Sequence, residues 1–525
     1  MGLAYSTYQI ALFDFTLTGK GSAIVDAKAG SGKTTSIIEV CNRLPDGASV
    51  LFLAFNKSIV EELKAKLPAG INCSTFNSCG WGSWRRYTGK RFIKVDGKKT
   101  WRIIWDTFTK DEVKAYGAFV AKMVGLAKST GLVPEDDDSK WFKIQDHHGL
   151  TLASRDGDYN EAIDLSKQVL KQSIRKADDV CDFDDQLYMP WLRNTAFDQF
   201  DVVFIDEAQD TNPVQVALLK RMLKTGGRLI AVGDPQQAIY GFRGADHEAM
   251  NNIKEAFDCT TLPLSISYRC AKSIIKEAQK YVPGIEAFDS SPEGEVSHLD
   301  DYDINTFTAN DAILCRNNAP LIEIAYQFIG RGKSVNFLGR DIGAGLKSLI
   351  KNMEARNLDD LSIKLDAWLE RESEKLRRKH QEDKIELLQD RINCIEIFIQ
   401  YLPQSRQTVG DLLAAIDNLF KSNGRGITLS SVHKSKGKEW NRVFILDFEK
   451  YMPSRWAKKD WQKIQENNLI YVAITRAKDY VGYIPSNSWT DEPNMVIPER
   501  QVKLTKPTKP ARVGGLTGFN PFANK

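Results

Sequence analysis

Six short runs rich in β-branched and aromatic residues punctuate the chain: SAIVDA (22–27), SVLFLAF (49–55), DVVFIDE (201–207), RLIAVGD (228–234), AILCR (312–316) and RVFILDF (442–448). Their apolar residues run consecutively rather than alternating with polar ones, so both faces of each are expected to be buried. A polar turn, and often a helical pattern, follows each run. Such runs alternating with helices predict parallel α/β sheets. They cluster before about residue 262 and after about residue 310, which predicts two α/β cores. Two stretches interrupt the rhythm. Residues 85–185 carry few strand signals and read as mostly helical. Residues 346–420 also read as helical, with Ile385, Leu388, Ile392, Ile395 and Ile399 spaced three and four apart, the pattern of a buried helix face. ERESEKLRRKHQEDK (370–384) mixes both charge signs and reads as a solvated helix or the tip of a helix hairpin.

At 525 residues the chain is too long for one core, and length alone suggests about three or four domains. The net charge of +4 means that any nucleic-acid surface must be local. Eight cysteines, none in a CxxC pair, fit neither a zinc module nor a secreted disulfide framework. No signal peptide or membrane-length apolar run is read, so the expectation is a soluble protein of a reducing compartment, cytoplasmic or nucleoid/nuclear. The last stretch, KPTKPARVGGLTGFNPFANK, is Pro/Gly-rich and free of acids; residues 491–525 are expected to form a flexible basic tail, able to engage a protein partner.

AKAGSGKTT (27–35) lies between a strand pattern and a helical one, the context a phosphate-binding loop requires. The residues expected around the phosphates are Ala29, Gly30, Ser31, Gly32, Lys33, Thr34 and Thr35. Gly30 and Gly32 let backbone N–H groups approach the phosphates, and the helix start adds a favourable dipole. Lys33 would reach the β- and γ-phosphates and Thr34 would hold Mg²⁺. Ala27 stands where the general pattern has its first glycine. VVFIDEAQD puts Asp206 and Glu207 at a strand end: Asp206 can ligate Mg²⁺ opposite Thr34, and Glu207 can orient or deprotonate the attacking water. The two elements together predict an NTPase using ATP and Mg²⁺.

VGDPQQAIYGFRGA (232–245) begins as a strand end bearing an acid and two amides and continues as an aromatic–glycine–aromatic–arginine run. Gln237 is placed to hydrogen-bond the γ-phosphate or its water. Tyr240, Phe242 and Arg243 would project to the other side of the loop, where a stacked base is worth roughly 1–3 kcal/mol whatever its identity. One short segment can therefore sense the nucleotide and grip a strand.

In order, these motifs and AFNKSIVEEL (54–63), STFNS (74–78), SYRC (267–270), TLSSVHKSKGKEW (428–440) and IYVAITRA (470–477) resemble the UvrD/Rep/PcrA-like helicases of superfamily 1 over nearly the whole chain. The Ala-Phe-Asn-Lys form is also similar to the F-box DNA helicase branch. The resemblance implies two RecA-like parallel-sheet P-loop NTPase domains with two mostly helical inserted subdomains. The first core would comprise 1–84 and 186–262 around an insertion at 85–185. The second would comprise 263–345 and 420–490 around a reduced insertion at 346–419. It implies Gln9 reading the adenine, Tyr268 stacking on it, Glu439 on the ribose, and Arg269 and Arg476 on the γ-phosphate. Phe55, Asn56, Thr75, Phe76, Tyr240, Phe242, Arg243 and His433 would face DNA. The implied activity is 3′→5′ translocation of a monomer on single-stranded DNA, with unwinding at single-strand/duplex junctions. Departures from the pattern are Asn77 for a histidine, the aromatic at Phe55 one place late, Phe242 for a tryptophan, Lys438 for an apolar residue, and ENNL (466–469), which is expected to remove an ion pair.

WGSWRRYTGKRFIKVDGKKTWR (81–102) interleaves eight basic residues with Trp81, Trp84, Tyr87, Phe92 and Trp101. Two readings stand, a nucleic-acid surface or a hydrophobic core with a solvated basic face. Three other activities share parts of this pattern. A translocase that mainly strips proteins from DNA shares every motif, and a nucleotide-gated P-loop switch is opposed by the paired arginines and the aromatic loop. A helicase–nuclease is disfavoured because only about 45 residues follow the last motif, too few for a further domain.

Overall fold

A computed structural model describes residues 5–490 apart from 46, 55, 149, 151, 153–156, 240–247, 379–382, 422–423, 459 and 487–488. The described residues fall into two compact units divided between Ser267 and Tyr268.

The first unit is built on six parallel strands: Ala23–Ala27 (β1), Val50–Ala54 (β2), Asn72–Thr75 (β3), Phe200–Ile205 (β4), Leu223–Gly233 (β5) and Thr260–Leu264 (β6). Their order across the sheet is β3-β2-β4-β5-β1-β6. Successive side chains of a strand point to opposite faces, and here both faces are covered. Val25, Phe52, Phe204 and Ile230 pack on one side with the helices Thr7–Thr18 and Lys33–Arg43. Ile24, Leu51, Val203 and Leu229 pack on the other with Leu218 and Leu219 of the helix Pro213–Met222. That is why the runs read as continuous rather than alternating.

A helical block with a core of its own is inserted between β3 and β4. Its helices include Lys99–Thr107, Lys110–Thr130, Asp138–His148 and Tyr159–Lys176, and Trp84, Trp141, Met123 and Tyr188 are buried among them. The aromatic-basic segment divides between its two readings. Trp84 is buried and Trp81 and Trp101 pack against the block's core, whereas Tyr87 and Phe92 are exposed. The lysines and arginines divide too: Lys90 pairs with Asp179 and Arg86 with Asp198, while Lys99 is buried 2.5 Å from Asp185.

The second unit repeats the plan with Glu295–His298 (β7), Asp311–Cys315 (β8), Val335–Leu338 (β9), Ile427–Ser431 (β10), Trp440–Leu446 (β11) and Ala477–Ile484 (β12), ordered β7-β12-β11-β8-β10-β9 and again parallel. Between β9 and β10 lie the helices Arg340–Asn352, Leu358–Arg378, Asp383–Tyr401 and Val409–Phe420. Ile385, Ile392 and Ile395 form the buried face that their spacing predicted. Ile395, Phe398, Ile416 and Phe420 belong to one continuous core with Ile313, Phe337, Leu429 and Phe444 of the sheet. This helical insertion is built into the second unit's core instead of carrying a separate one.

Candidate functional site

In the first unit the signature segments all leave the C-terminal ends of strands. The phosphate loop follows β1, Asp206 and Glu207 follow β4, and Asp234–Gln237 follow β5. Because β4, β5 and β1 are neighbours in a parallel sheet, residues far apart in sequence share one edge, where ligands of such sheets bind. Gly30 and Gly32 both have φ of 75°, a left-handed conformation that glycine adopts without steric cost. Gly32 is the N-cap of the helix Lys33–Arg43 and supplies no side-chain cap, so the helix start keeps N–H groups for an anion. Ser31 Oγ is buried there without a hydrogen-bond partner. These features fit a phosphate.

Thr34 Oγ1 donates to Asp206 Oδ2 at 3.3 Å, and Lys33 Nζ lies 4.0 Å from Glu207 Oε1. Burial, with Glu207's charge beside it, pushes the Asp206 carboxyl up to about 6. A cation at this carboxylate would offset that penalty. Two hard oxygen donors suit Mg²⁺, which takes few protein ligands and completes its octahedron with phosphate oxygens and water. No cluster of three or more His, Cys, Asp or Glu able to hold a metal occurs among the described residues. Glu207 itself sits in the left-handed region at φ 55°, a strained conformation for a residue with a Cβ.

Three side chains that the sequence reading did not assign tie these segments together. Gln209 is buried; its Nε2 donates to Glu207 Oε2 at 2.5 Å and its Oε1 accepts from Asp234 N at 3.1 Å. Lys28 is buried between both oxygens of Asp26 and Gln236 Oε1, at 2.7–2.9 Å, linking the phosphate loop to the GDPQQ segment. Gln237 Nε2 donates to Asp234 Oδ2 at 2.7 Å. The third, Ser36, accepts from Gln9 Nε2 at 3.0 Å, while Gln9 Oε1 accepts from Ser6 N. Gln9 is thus held beside the helix that follows the loop, and its amide already serves the capping box of its own helix. Of the loop residues, Ala29 is buried and Thr35 is exposed.

Further along the same edge, β2 and β3 end at the residues expected to face a strand. Asn56 Oδ1 and Thr75 Oγ1 cap the helices that follow, accepting from Ile59 N and Ser78 N. Phe76 departs from expectation. At 7% exposure it packs in the core with Leu187 and Leu53, because it opens a helix whose inner face covers the sheet. Asn77 Nδ2 donates to the backbone O of Phe183 at 2.9 Å and to Gln186 Oε1 at 3.1 Å, and Phe183 is 62% exposed. Phe183 was missed because it lies more than 100 residues away in the chain; an aromatic between acids in CDFDD was the available signal. Phe55, Tyr240, Phe242 and Arg243 lie outside the described residues.

In the second unit Glu439 and Arg476 immediately precede the adjacent strands β11 and β12, joined by Trp440 N donating to Arg476 O at 3.0 Å. Arg476 is 1% exposed; its Nε donates to Val472 O at 3.0 Å and its Nη1 to Lys438 O at 3.1 Å. Arg269 Nε lies 2.6 Å from Glu439 Oε2, and its Nη1 donates to Thr475 O at 3.2 Å. Tyr268 has Phe288 against its ring, centroids 4.9 Å apart. His433 lies on a short helix directly after β10. The ENNL segment corrects the expectation of a lost ion pair. Glu466 is buried and takes Arg316 with both carboxylate oxygens, at 2.8–3.2 Å, and Ser454 N donates to it as well.

The model of the UvrD/REP helicase N-terminal domain matches residues 14–258, and that of the UvrD-like helicase C-terminal domain matches residues 347–485. The chain belongs to the UvrD/REP helicase family. The F-box DNA helicase 1 of Gallus gallus is 24% identical over 86% of this chain and 46% of its own length. The F-box DNA helicase protein 1 of Schizosaccharomyces pombe is 25% identical over 86% and 54%. The ATP-dependent DNA helicase PcrA of Staphylococcus epidermidis is 25% identical over 50% and 38%. The chain therefore spans about half the length of the curated relatives it matches. Both branches of the UvrD/REP family that the motifs resembled are among these relatives. No helix among the described residues is long and apolar enough to cross a membrane.

Proposed function

We propose that this chain is an ATP-dependent DNA helicase that moves 3′→5′ on single-stranded DNA and unwinds duplex at a single-strand junction. The observation that carries the reading is the order of segments along one sheet edge of the first unit. Thr75 ends β3, Asn56 follows β2, the acids follow β4, Gln237 follows β5, and the phosphate loop follows β1. A strand-contacting end and a nucleotide-contacting end on one rigid edge suit a motor that converts hydrolysis into altered grip.

In this mechanism Lys33 and the N–H groups at the helix start bind the β- and γ-phosphates. Thr34 and Asp206 would hold Mg²⁺, which when bound supplies charge to polarise the phosphate oxygens. Glu207 accepts the proton of the attacking water on its carboxylate, oriented by Gln209, and Gln237 orients the terminal phosphate or that water. Arg269 and Arg476 stabilise charge developing on the transferred group. The exposed ring of Phe183, beside Asn77, and the aromatics of the YGFR segment offer stacking platforms for bases. The monomer is the proposed working unit. The decisive experiment measures ATP hydrolysis with and without single-stranded DNA, and strand displacement on 3′-tailed, 5′-tailed and blunt duplexes. DNA-stimulated hydrolysis with displacement of the 3′-tailed duplex is expected. Hydrolysis without displacement of any duplex would favour a translocase, displacement confined to 5′ tails would reverse the direction, and ATP binding without turnover would favour a switch.

A further inference from the structure

Glu439 is shared by two cations. Its Oε2 lies 2.6 Å from Arg269 Nε, and its Oε1 lies 2.8 Å from Lys478 Nζ. The strand pairing Trp440↔Ala477 fixes Glu439 and Lys478 at the starts of neighbouring strands, so their proximity is set by backbone register. Arg269 is anchored at the same junction through Thr475 O. Burial raises the Glu439 carboxyl, but Lys478 and Arg269 together hold it below the usual carboxylate range. One carboxylate thus carries more positive charge than neutrality needs, and one of its partners is an arginine proposed to contact phosphate.

We propose that Lys478 is a positioning residue that retains Glu439 so that Arg269 can leave the carboxylate for the terminal phosphate of a bound nucleoside triphosphate. The Arg269–Glu439 pair then acts as a latch that keeps the guanidinium off the site until an anion competes for it. With Lys478 in place, Glu439 keeps an ion pair when Arg269 departs. Without it, departure leaves a lone carboxylate, and Arg269 is held more tightly. This rests on the proposed ATPase activity. Glu439 and Lys478 are 40% and 39% exposed, so water offsets part of the loss and the effect is about three- to fivefold.

The test is steady-state ATP hydrolysis by the full chain carrying Lys478→Ala, Lys478→Arg, Glu439→Gln, and Lys478→Ala combined with Glu439→Gln. Lys478→Ala is expected to lower kcat by that factor with little change in KM, and Lys478→Arg to restore it. In the Glu439→Gln background, where the latch no longer carries a charge, Lys478→Ala should change kcat no further. An unchanged kcat in Lys478→Ala would overturn the proposal, as would an equal loss in both backgrounds, which would mean that Lys478 acts independently of Glu439. A wild-type chain without ATP turnover would instead overturn the functional reading, and the latch with it.

Discussion

Gln209 joins the two segments expected to act on the γ-phosphate, holding Glu207 with its amide nitrogen and the Asp234 N–H with its oxygen. Gln209→Ala strands a buried N–H, a penalty of about 1–3 kcal/mol, and frees the carboxylate to rotate. The expected outcome in a steady-state assay is a kcat reduced more than about tenfold with a nearly unchanged KM for ATP, as for loss of an orienting group in general-base catalysis. A wild-type kcat would show that Glu207 needs no such support. The two charged neighbours should separate binding from chemistry. Lys33→Ala should weaken ATP binding and abolish turnover, whereas Glu207→Gln should retain ATP yet lose about 10²-fold or more in kcat. Fluorescent-nucleotide titration beside turnover checks both, and retained hydrolysis in Glu207→Gln would remove it as the base. At this scale, legibility follows chemistry with strict demands. A phosphate loop needs glycines, a lysine and a hydroxyl at set spacing, so Gly30 to Thr34 can be read directly. Gln209 and Lys28 act through single hydrogen bonds to partners distant in sequence, which leave no pattern. Phe76 misleads because a junction aromatic points inward or outward according to the helix phase, which one sequence does not reveal.

The six strands visible as apolar runs are all interior strands: β1, β2, β4 and β5 of the first sheet, β8 and β11 of the second. Four of the six that were not visible, β3, β6, β7 and β9, are sheet edges, short and covered less completely, so they lack the apolar signature. β10 and β12 lie inside the sheet and were noticed only as motifs. Register at the β2–β4 pairing is fixed by Asp201, whose Oδ2 accepts from Ser49 N at 2.9 Å, Ser49 Oγ at 2.6 Å and Lys224 Nζ at 2.9 Å. These bonds, the Ser49 hydroxyl's first and Lys224's next, hold its carboxyl far below the ordinary range. A depressed folded-state pKa means stabilisation that is present above the unfolded value, about 3.9, and lost as pH falls through the folded one. Asp201→Asn should therefore lower Tm at pH 7, with the difference from wild type shrinking steadily below about pH 4. A difference independent of pH would locate the effect in shape rather than charge. In the second unit, the helical insertion and the sheet share one core through Phe398. Phe398→Ala should cost about 3–5 kcal/mol, felt by the sheet as well as by the helices. Hydrogen exchange would show faster opening in β8 and β9 together with Asp383–Tyr401; protection lost from the helices alone would mean that the insertion is independent after all.

On the scale of the whole molecule, the proposed site residues are divided between two units. Lys33, Thr34, Asp206, Glu207 and Gln237 belong to the first, and Arg269, Glu439 and Arg476 to the second. The two-core plan could be read because each core repeats the same buried-strand rhythm, whereas the sharing of one core by the second sheet and its insertion depends on contacts that no local pattern encodes. Arg476 tests the division most directly, because its guanidinium also ties Val472 O and Lys438 O. If those bonds are its whole purpose, Arg476→Ala lowers Tm and scales down binding and turnover together. If it stabilises the transferred phosphoryl group, Arg476→Ala lowers kcat by about 10³-fold, the lower end for an arginine finger, while leaving nucleotide affinity within a few-fold. Arg476→Lys separates the two outcomes, since an ammonium supplies charge and can donate to the same carbonyls but lacks the planar fork that grips a phosphate. Turnover in Arg476→Lys close to that of Arg476→Ala, with a wild-type Tm, is the expected result. Turnover restored to the wild-type level would reduce Arg476 to a structural cation and leave Arg269 as the second unit's proposed contribution to hydrolysis.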